Sequence, residues 1–345
     1  MNYKLLKNID KVRSLPKALG DSILYVEKTS KKMFVLDKNT LKKICSTANM
    51  VYSFEVLDKY IISSLLELYD FNGNLIYSHQ DSDLYDYEKI NFGFNTLWKK
   101  VDETKNEVLY YIFDIKKHDF VRRDIKVQNV PVILLNDKLI TRGIKELKCY
   151  ETNSFSETWQ FNVAQFGIYK ENKIFADQEP EEKQREIYRV YYHQDKIIAS
   201  ISRAVIALNP QNGELLWKID FEGHEPIDLI FDRNICYGGQ WRFTIIDIEN
   251  GAKILETDYD RDIEIGGNKI SSVSSGSGLV LHNGFLWCTF SEHKNRFLAK
   301  LNPENGKIID AMKLDTTAST RPPVFDENRI YILDQDGELF IYEEQ

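Results

Sequence analysis

Three arginines lie at nearly the same place in successive segments of the chain, measured from glycines that end short turns. Counting back ten residues from such a glycine reaches Arg203 and Arg296, and Trp241-Arg242 lies at nearly the same place between them. Guanidinium groups match carboxylates, and Arg and Trp are frequent where binding energy is concentrated. We therefore predict a partner-binding rim, and the alternative is that these are ordinary solvated turn arginines. The predicted site residues are Arg203, Tyr237, Gln240, Trp241, Arg242 and Arg296.

Other combinations of residues with chemical potential are incomplete. The acidic stretch 81–88 has the carboxylate density of a calcium loop, but it lacks the central Gly and a Glu at the correct spacing. The glycine-rich stretch 274–278 lacks the Lys and the strand-to-helix context of a phosphate loop. We therefore expect no metal site and no nucleotide site in these segments.

The histidines and cysteines show no pattern of catalysis or metal binding. The six histidines have no spacing that puts two of them on one face of a strand, and the four cysteines lie far apart. We expect Cys45, Cys149, Cys236 and Cys288 to be free thiols that pack as small buried hydrophobes. No catalytic residue is predicted.

A repeated sequence motif must position these residues: an apolar strand, a turn ending in Asn-Gly, and a second apolar strand. The motif is clearest at 207–217 and recurs at a period of about 40 residues, which is typical of a radial array of β-sheets. Eight strands of one kind precede the turns, so we predict eight blades of four strands, with seven as the alternative. Those strands lie at 33–37, 66–70, 110–114, 147–150, 205–208, 244–247, 298–301 and 339–342.

The two ends of the chain complement each other in this scheme. The last unit stops after its third strand, whereas the chain begins with an isolated strand-like segment at 3–6. Because an open ring would leave unpaired strand edges, we predict that this segment supplies the outermost strand of the final blade. The predicted fold is an all-β propeller that forms a single domain over residues 1–345.

Three segments are longer than the repeat requires. They lie at 78–94, which is acidic and Tyr-rich, at 161–188, which includes a polar Glu-rich run, and at 258–277, which contains Gly-Gly. We predict that these are surface loops, where binding usually resides on a rigid scaffold.

Composition limits the classes of partner and compartment. The formal net charge is −8 and the pI is near 5.5, so the average field repels polyanions and argues against nucleic acid as a partner. No apolar run approaches the length of a membrane span, and the first ten residues contain neither a sustained apolar core nor a lipid-attachment cysteine. We therefore expect a cytoplasmic protein that does not bind membranes.

The segment 207–217 resembles the repeat of the quinoprotein-like (PQQ-like) propellers, in which a strand, an Asn-Pro or Asp turn, a Gly and a Leu-x-Trp ending recur in each blade. Weaker copies lie at 71–77, 249–255 and 302–309. The resemblance implies a propeller of four-stranded, WD40-like blades. Many enzymes of that family bind a quinone with calcium and carry adjacent cysteines, which this chain does not have. The resemblance therefore implies the non-enzymatic branch, and we expect no cofactor.

The sequence favours a non-catalytic scaffold that binds a partner protein with an acidic contact surface through one propeller rim and its long loops. A bacterial immunity protein that neutralises a toxin is a special case of this hypothesis. The alternative is a hydrolase or lyase that acts on a sugar or a small anion in the central channel, since pockets with a few convergent polar groups are the usual active sites.

Overall fold

The computed structural model describes residues 1–79, 84–92, 95–102, 107–171, 181–222, 226–239, 242–265, 268–272 and 278–345. Within these residues the secondary structure is 36 β-strands and one 3-10 helix. Strand β1 (Tyr3–Ile9) is followed by four-stranded sheets, which we number in chain order. As predicted, the fold class is all-β, an eight-bladed propeller of four-stranded sheets rather than a seven-bladed one.

The first four sheets take up the first half of the chain. Sheet 1 consists of β2 (Lys17–Leu19), β3 (Ser22–Val26), β4 (Met33–Asp37) and β5 (Lys43–Ser46). Sheet 2 consists of β6 (Phe54–Leu57), β7 (Tyr60–Ser63), β8 (Glu67–Tyr69) and β9 (Leu75–Ser78). Sheet 3 consists of β10 (Leu84–Phe92), β11 (Asn95–Asp102), β12 (Glu107–Asp114) and β13 (Asp119–Ile125). Sheet 4 consists of β14 (Val130–Leu134), β15 (Lys138–Arg142), β16 (Glu146–Glu151) and β17 (Glu157–Asn162).

In the second half of the chain, one short hairpin precedes sheets 5 and 6, and another precedes sheets 7 and 8. A 3-10 helix (Val163–Phe166) and the hairpin β18 (Ile168–Glu171) and β19 (Glu181–Gln184) precede sheet 5, which consists of β20 (Ile187–His193), β21 (Lys196–Ile201), β22 (Ala204–Leu208) and β23 (Leu215–Asp220). Sheet 6 consists of β24 (Leu229–Asp232), β25 (Ile235–Gly238), β26 (Arg242–Asp247) and β27 (Lys253–Asp258). The hairpin β28 (Arg261–Ile265) and β29 (Asn268–Ser272) comes next. Sheet 7 consists of β30 (Val280–His282), β31 (Phe285–Glu292), β32 (Asn295–Leu301) and β33 (Ile308–Lys313), and sheet 8 contains β34 (Val324–Asp326), β35 (Arg329–Leu333) and β36 (Leu339–Glu344).

The N-terminal strand completes the final sheet. Strand β1 pairs antiparallel with β36, from Tyr3 opposite Glu344 to Ile9 opposite Leu339, and the order of sheet 8 is β1-β36-β35-β34. The closure predicted from the sequence is therefore confirmed. The eight repeated strands identified in the sequence are the third strands of the eight sheets in the described chain. They are aliphatic and aromatic, as in β22, where all five residues are buried.

The chain forms two compact units. One contains Met1–Asp86, Trp98–Val101 and Tyr259–Gln345, and the other contains Tyr87–Leu97 and Asp102–Asp258. In the first unit, hydrophobic clusters join sheets 7 and 8, sheets 8 and 1, and sheets 1 and 2. In the second unit, clusters join sheets 3 and 4, sheets 4 and 5, and sheets 5 and 6. The single domain over residues 1–345 stays a prediction.

A tryptophan on a fourth strand and a glycine in the following sheet form a repeated contact. Gly213 and Gly251 both have φ +71°, a conformation that L side chains rarely adopt. The ring of Trp159 lies against Gly213, and the ring of Trp217 lies against Gly251. The Trp159 Nε1 donates to the Pro210 carbonyl at 3.1 Å, and the Trp217 Nε1 donates to the Ile248 carbonyl at 2.8 Å. In both contacts the tryptophan therefore covers part of the neighbouring sheet.

Each fourth strand in the described chain bulges at the same position, which aligns the sheets residue by residue. One residue there has no partner on the third strand, and the next residue occupies the position of Trp159 and Trp217. All but one of the bulged residues are aliphatic, with exposures between 38% and 56%. A bulge interrupts the outer edge of a sheet and so discourages pairing with another chain. The bulged residues are Leu6, Ile44, Ile76, Val121, Thr158, Leu216, Ile254 and Ile309.

The three segments predicted to be loops contain strands, so this expectation was wrong for much of their length. The acidic, Tyr-rich segment 78–94 supplies β10, the first strand of sheet 3, and its Tyr, Ile and Phe content suits a strand. The segments 161–188 and 258–277 contain the hairpins β18–β19 and β28–β29. Residues 80–83, 93–94, 172–180, 266–267 and 273–277 lie outside the described part of the chain.

Candidate functional site

Arg203 lies in the hairpin between the second and third strands of sheet 5. It has φ +62°, and its carbonyl accepts a hydrogen bond from the Phe221 N–H at 2.9 Å. Its Nη1 donates to the Glu222 carbonyl at 3.1 Å, and its guanidinium lies 5.7 Å from the centre of the Tyr169 ring. The guanidinium is thus held by a carbonyl and a ring, and both contacts leave its positive charge in place.

Arg296 occupies the equivalent position in sheet 7. Its carbonyl accepts from the Leu314 N–H at 2.8 Å, as the Arg203 carbonyl accepts from Phe221. Its Nε lies 3.2 Å from the Thr317 carbonyl and 3.0 Å from the Ala318 carbonyl, and its Nη2 donates to the Ser319 Oγ at 3.1 Å. Arg296 is therefore fixed by the loop that leads from sheet 7 to sheet 8.

A small polar recess opens beside Arg296. It has a volume of about 110 Å³, and it is lined by Arg296, Phe290 and four hydroxyl-bearing residues, Thr289, Ser291, Ser319 and Thr320. The Thr289 and Thr320 hydroxyls lie 2.5 Å apart, so one donates to the other. A guanidinium surrounded by hydroxyl groups presents hydrogen-bond donors to an oxyanion. The recess can therefore accept a carboxylate.

Arg242 does not share this position. It pairs with Asp258 across β26 and β27, whereas the residue equivalent to Arg203 and Arg296 is Trp241. Since successive side chains of a strand point to opposite faces, one residue of offset places Arg242 on the other face. Its Nη1 lies 2.7 Å from Glu256 and its Nε lies 3.0 Å from Asp258, so two carboxylates neutralise its charge. The structure therefore does not place Arg242 at the position that Arg203 and Arg296 share, and its role in binding stays a prediction.

The remaining predicted site residues differ in what the structure describes of them. Tyr237 is buried in β25, and its ring stacks on Phe243 with centroids 6.3 Å apart, which is a packing role. Little of the ring is exposed, and the predicted role of Tyr237 in binding stays a prediction. Gln240 and Trp241 lie outside the described residues.

Lys145 is a cation at the same hairpin position that the sequence pattern did not reveal. Its carbonyl accepts from the Val163 N–H at 2.8 Å, as in the two arginine hairpins, and its Nζ contacts the Gln184 side chain. The turn of sheet 4 has Phe155 at φ +52°, where the turns of sheets 2, 5, 6 and 7 have Gly. Counting back ten residues from Phe155 reaches Lys145, so a search keyed to the turn rather than to Gly finds it. We call Lys145, Arg203 and Arg296 the hairpin cations.

The described residues offer no set of metal ligands or catalytic thiols. No group of three or more His, Cys, Asp and Glu in this part of the chain is arranged to hold a metal ion. The four cysteines are free, as expected, and three of them are buried. Burial raises the pKa of the Cys288 thiol to about 12, and it also raises the pKa of Cys236. No helix within the described ranges combines the length and apolar content needed to cross a membrane.

Comparisons with known proteins identify the fold. No known family model matches the chain, and no curated protein matches it in sequence. The computationally designed protein Ika8 is similar in structure, with a TM-score of 0.64 at 12% identity over 97% of this chain and 96% of Ika8. The C-terminal WD40 domain of Sif2 is similar with a TM-score of 0.63 at 10% identity, over 99% of this chain and 98% of that domain.

BamB from Moraxella catarrhalis matches less well, with a TM-score of 0.44 at 12% identity over 97% of this chain and 86% of BamB. The quinoprotein-like branch inferred from the repeat therefore stays a prediction. WD40 repeats build propellers of four-stranded blades. The likeness to that domain and the eight described sheets show that this chain is a β-propeller.

Proposed function

We propose that this protein is a non-catalytic interaction module that binds a partner protein through the hairpins between the second and third strands of its sheets. Acidic groups of the partner contact Lys145 and Arg203 in one compact unit and Arg296 in the other. We retain the expectation that the protein acts in the cytoplasm as a single domain and binds neither membranes nor nucleic acid. The net charge of −8 supports the expectation that nucleic acid is not a partner, because it disfavours binding of a polyanion.

One observation carries the proposal: Arg203 and Arg296 are held in place while their charges are left available. Their described polar contacts are with carbonyl oxygens, a hydroxyl group and a ring, and within the described chain neither forms an ion pair. Arg242, in contrast, has two carboxylate partners. A guanidinium already fixed in position loses little conformational freedom on binding, which favours affinity for a carboxylate.

The recess beside Arg296 supports the same proposal on a smaller scale. Its volume of about 110 Å³ suits the carboxylate of one Asp or Glu side chain rather than a drug-sized ligand. The hydroxyl groups around it can donate to the second carboxylate oxygen. An acidic side chain of the partner inserted beside Arg296 would form charge-assisted hydrogen bonds, which are stronger than neutral ones.

A toxin-neutralising immunity protein is the special case that this proposal retains from the sequence. A cationic contact surface would suit an acidic toxin, and association of oppositely charged surfaces is fast. The prediction specific to this case is that the captured partner is toxic when expressed alone and harmless when expressed with this protein.

Affinity capture from the native cell, followed by mass spectrometry, tests the proposal. The baits are the wild-type protein, the triple variant Lys145→Glu/Arg203→Glu/Arg296→Glu, and the control Arg233→Glu. Arg233 is a suitable control because it also sits at positive φ in a turn, and its side chain is 89% exposed. We expect an acidic protein to be captured by the wild type and the control and lost from the triple variant. Equal capture by all three baits would remove the hairpin cations from the binding surface.

A further inference from the structure

A further cation lies in sheet 1 at the position of the hairpin cations. The turn of this sheet has Leu41 at φ +53°, and counting back ten residues from Leu41 reaches Lys31. The Lys31 carbonyl accepts a hydrogen bond from the Val51 N–H, as the Arg203 carbonyl accepts from Phe221. Because this turn has no Gly, a search keyed to Gly does not find the lysine.

A second cation reaches the same place from the chain that precedes sheet 1. The Arg13 N–H donates to the Val26 carbonyl at 2.8 Å, where β3 ends and the hairpin that carries Lys31 begins. Both cations lie over the ring of Tyr52, with the Lys31 Nζ 4.9 Å and the Arg13 guanidinium 5.6 Å from its centre. Three separate parts of the chain thus bring two positive charges to one aromatic ring.

No carboxylate forms an ion pair with either of these two cations within the described part of the chain. The acidic residue of the hairpin, Glu27, is engaged elsewhere, since hydrogen bonding to Ser30 and the charges of Lys11 and Lys43 lower the pKa of its carboxyl group. A contact with a ring leaves the charge of a cation in place. Both cations can therefore still pair with an anion, which would also relieve their mutual repulsion.

Apolar surface is exposed beside the two cations. Tyr52 is 36% exposed, and Met50, two residues before it, is 52% exposed. A methionine side chain is flexible and adapts to the shape of an apolar group that binds against it. Two cations, an aromatic ring and a flexible apolar side chain together match a peptide segment that combines acidic residues with bulky apolar ones.

We propose that Arg13, Lys31, Met50 and Tyr52 bind a segment of the partner protein in which acidic residues alternate with bulky apolar ones. Arg13 and Lys31 pair with carboxylates of the segment, and Met50 and Tyr52 cover an apolar side chain. All four residues belong to one compact unit. The proposal rests on the proposed function, because it assigns a further contact to the same acidic partner. The net charge of −8 favours a short acidic segment over a long polyanion such as nucleic acid.

Titration with short synthetic peptides, followed by microscale thermophoresis, tests the proposal. One peptide alternates Asp with Leu, a second has Ser in place of Leu, and a third has Asn in place of Asp. We expect the wild-type protein to bind the Asp-Leu peptide with a dissociation constant of about 1 mM or tighter. Each of the other two peptides should bind about tenfold or more weakly, because it lacks either the apolar contact or the charge-assisted hydrogen bonds.

Two variants assign these contacts to residues. Arg13→Gln/Lys31→Gln removes both charges, so it should weaken binding of the Asp-Leu peptide by about tenfold or more and leave binding of the Asn-Leu peptide little changed. Met50→Ser should reduce the preference for the Asp-Leu peptide over the Asp-Ser peptide. Arg233→Gln is the matched control, because Arg233 is an exposed arginine at positive φ in the other compact unit. It should leave binding of all three peptides unchanged.

Equal affinity of the wild type and the Arg13→Gln/Lys31→Gln variant for the Asp-Leu peptide would overturn the proposal. It is also overturned if the wild type does not bind this peptide at about 10 mM, tenfold above the expected dissociation constant. Tighter binding of a single-stranded oligonucleotide than of the peptide, with the same dependence on Arg13 and Lys31, would overturn the choice of a protein segment. None of these outcomes changes the affinity capture experiment, which compares variants of the hairpin cations, so the two proposals can fail separately.

Discussion

The packing of Trp217 on Gly251 predicts that Gly251→Ala destabilises the protein for two separable reasons. The first is backbone strain, because Gly251 has φ +71°. An L residue in the left-handed region costs about 1–2 kcal/mol. The second is steric overlap, because an added Cβ would lie 2.6 Å from the Trp217 Cδ2 and 2.7 Å from its Cγ. Forcing a methyl group into a packed interface costs about 1–3 kcal/mol.

Gly284→Ala separates the two effects. Gly284 has φ +74°, nearly the same backbone conformation, and a Cβ there would meet no atom within 4 Å. We therefore expect Gly284→Ala to lower the free energy of unfolding by about 1–2 kcal/mol. Gly251→Ala should lower it by about 2–5 kcal/mol, the sum of strain and overlap. The difference between the two variants measures the contact with Trp217.

Urea unfolding followed by tryptophan fluorescence and circular dichroism provides the measurement, and a double-mutant cycle locates the cause. In a Trp217→Ala background the overlap disappears, so Gly251→Ala should cost only as much as Gly284→Ala. Equal costs for Gly251→Ala and Gly284→Ala in the wild-type background would refute the packing of tryptophan on glycine between sheets 5 and 6.

Three further predictions follow from the closure of sheet 8 and from buried titratable groups. Deleting residues 1–9 exposes the edge of β36, so we expect a lower thermal midpoint and self-association in analytical ultracentrifugation. Adding a peptide of residues 1–10 should reverse both effects. An unchanged thermal midpoint with no self-association would contradict the pairing of β1 with β36. Cys45 is partly accessible whereas Cys288 is buried, so a thiol reagent should label Cys45 and leave Cys288 unlabelled until the protein unfolds. Mass spectrometry measures the labelling of each thiol. Rapid labelling of Cys288 in the folded protein would contradict its burial. Burial and the nearby charge of Asp326 raise the pKa of Tyr331 to about 12, so the folded state keeps this proton at pH values where the unfolded state, with a pKa of 10.0, loses it. The free energy of unfolding should therefore decline as pH rises from about 10 to 12, and less steeply in Tyr331→Phe; identical slopes would exclude Tyr331 as a cause.

Much of the fold was predictable because the residue types of the repeat are those that the contacts between consecutive sheets require. The apolar third strands, the turn glycines and the tryptophan four residues after Gly213 each reflect one contact between consecutive sheets. The role of β1 followed from the missing fourth strand at the end of the chain. The strand β10 was not anticipated, because its alternation of Tyr with acidic residues resembles the composition of a polar loop.

The candidate site was less predictable, because one residue of offset changes the face on which a side chain lies. Arg242 is next to the equivalent position, and it pairs with Glu256 and Asp258 instead of sharing the environment of Arg203. Lys145 was missed because its turn has Phe155 in a conformation usual for Gly. Charge neutralisation by the neighbouring strand and positive φ at a non-glycine residue both depend on the folded chain.

The most direct test of the proposed function is the dissociation constant of the captured partner for the wild-type protein and for Arg203→Glu/Arg296→Glu, measured by surface plasmon resonance at low and at physiological salt. We predict an increase of about 100-fold or more for the double variant, through slower association at low salt and faster dissociation, and no change for Arg233→Glu. Equal dissociation constants for the double variant and the wild type would contradict the proposal that the hairpin cations hold an acidic partner.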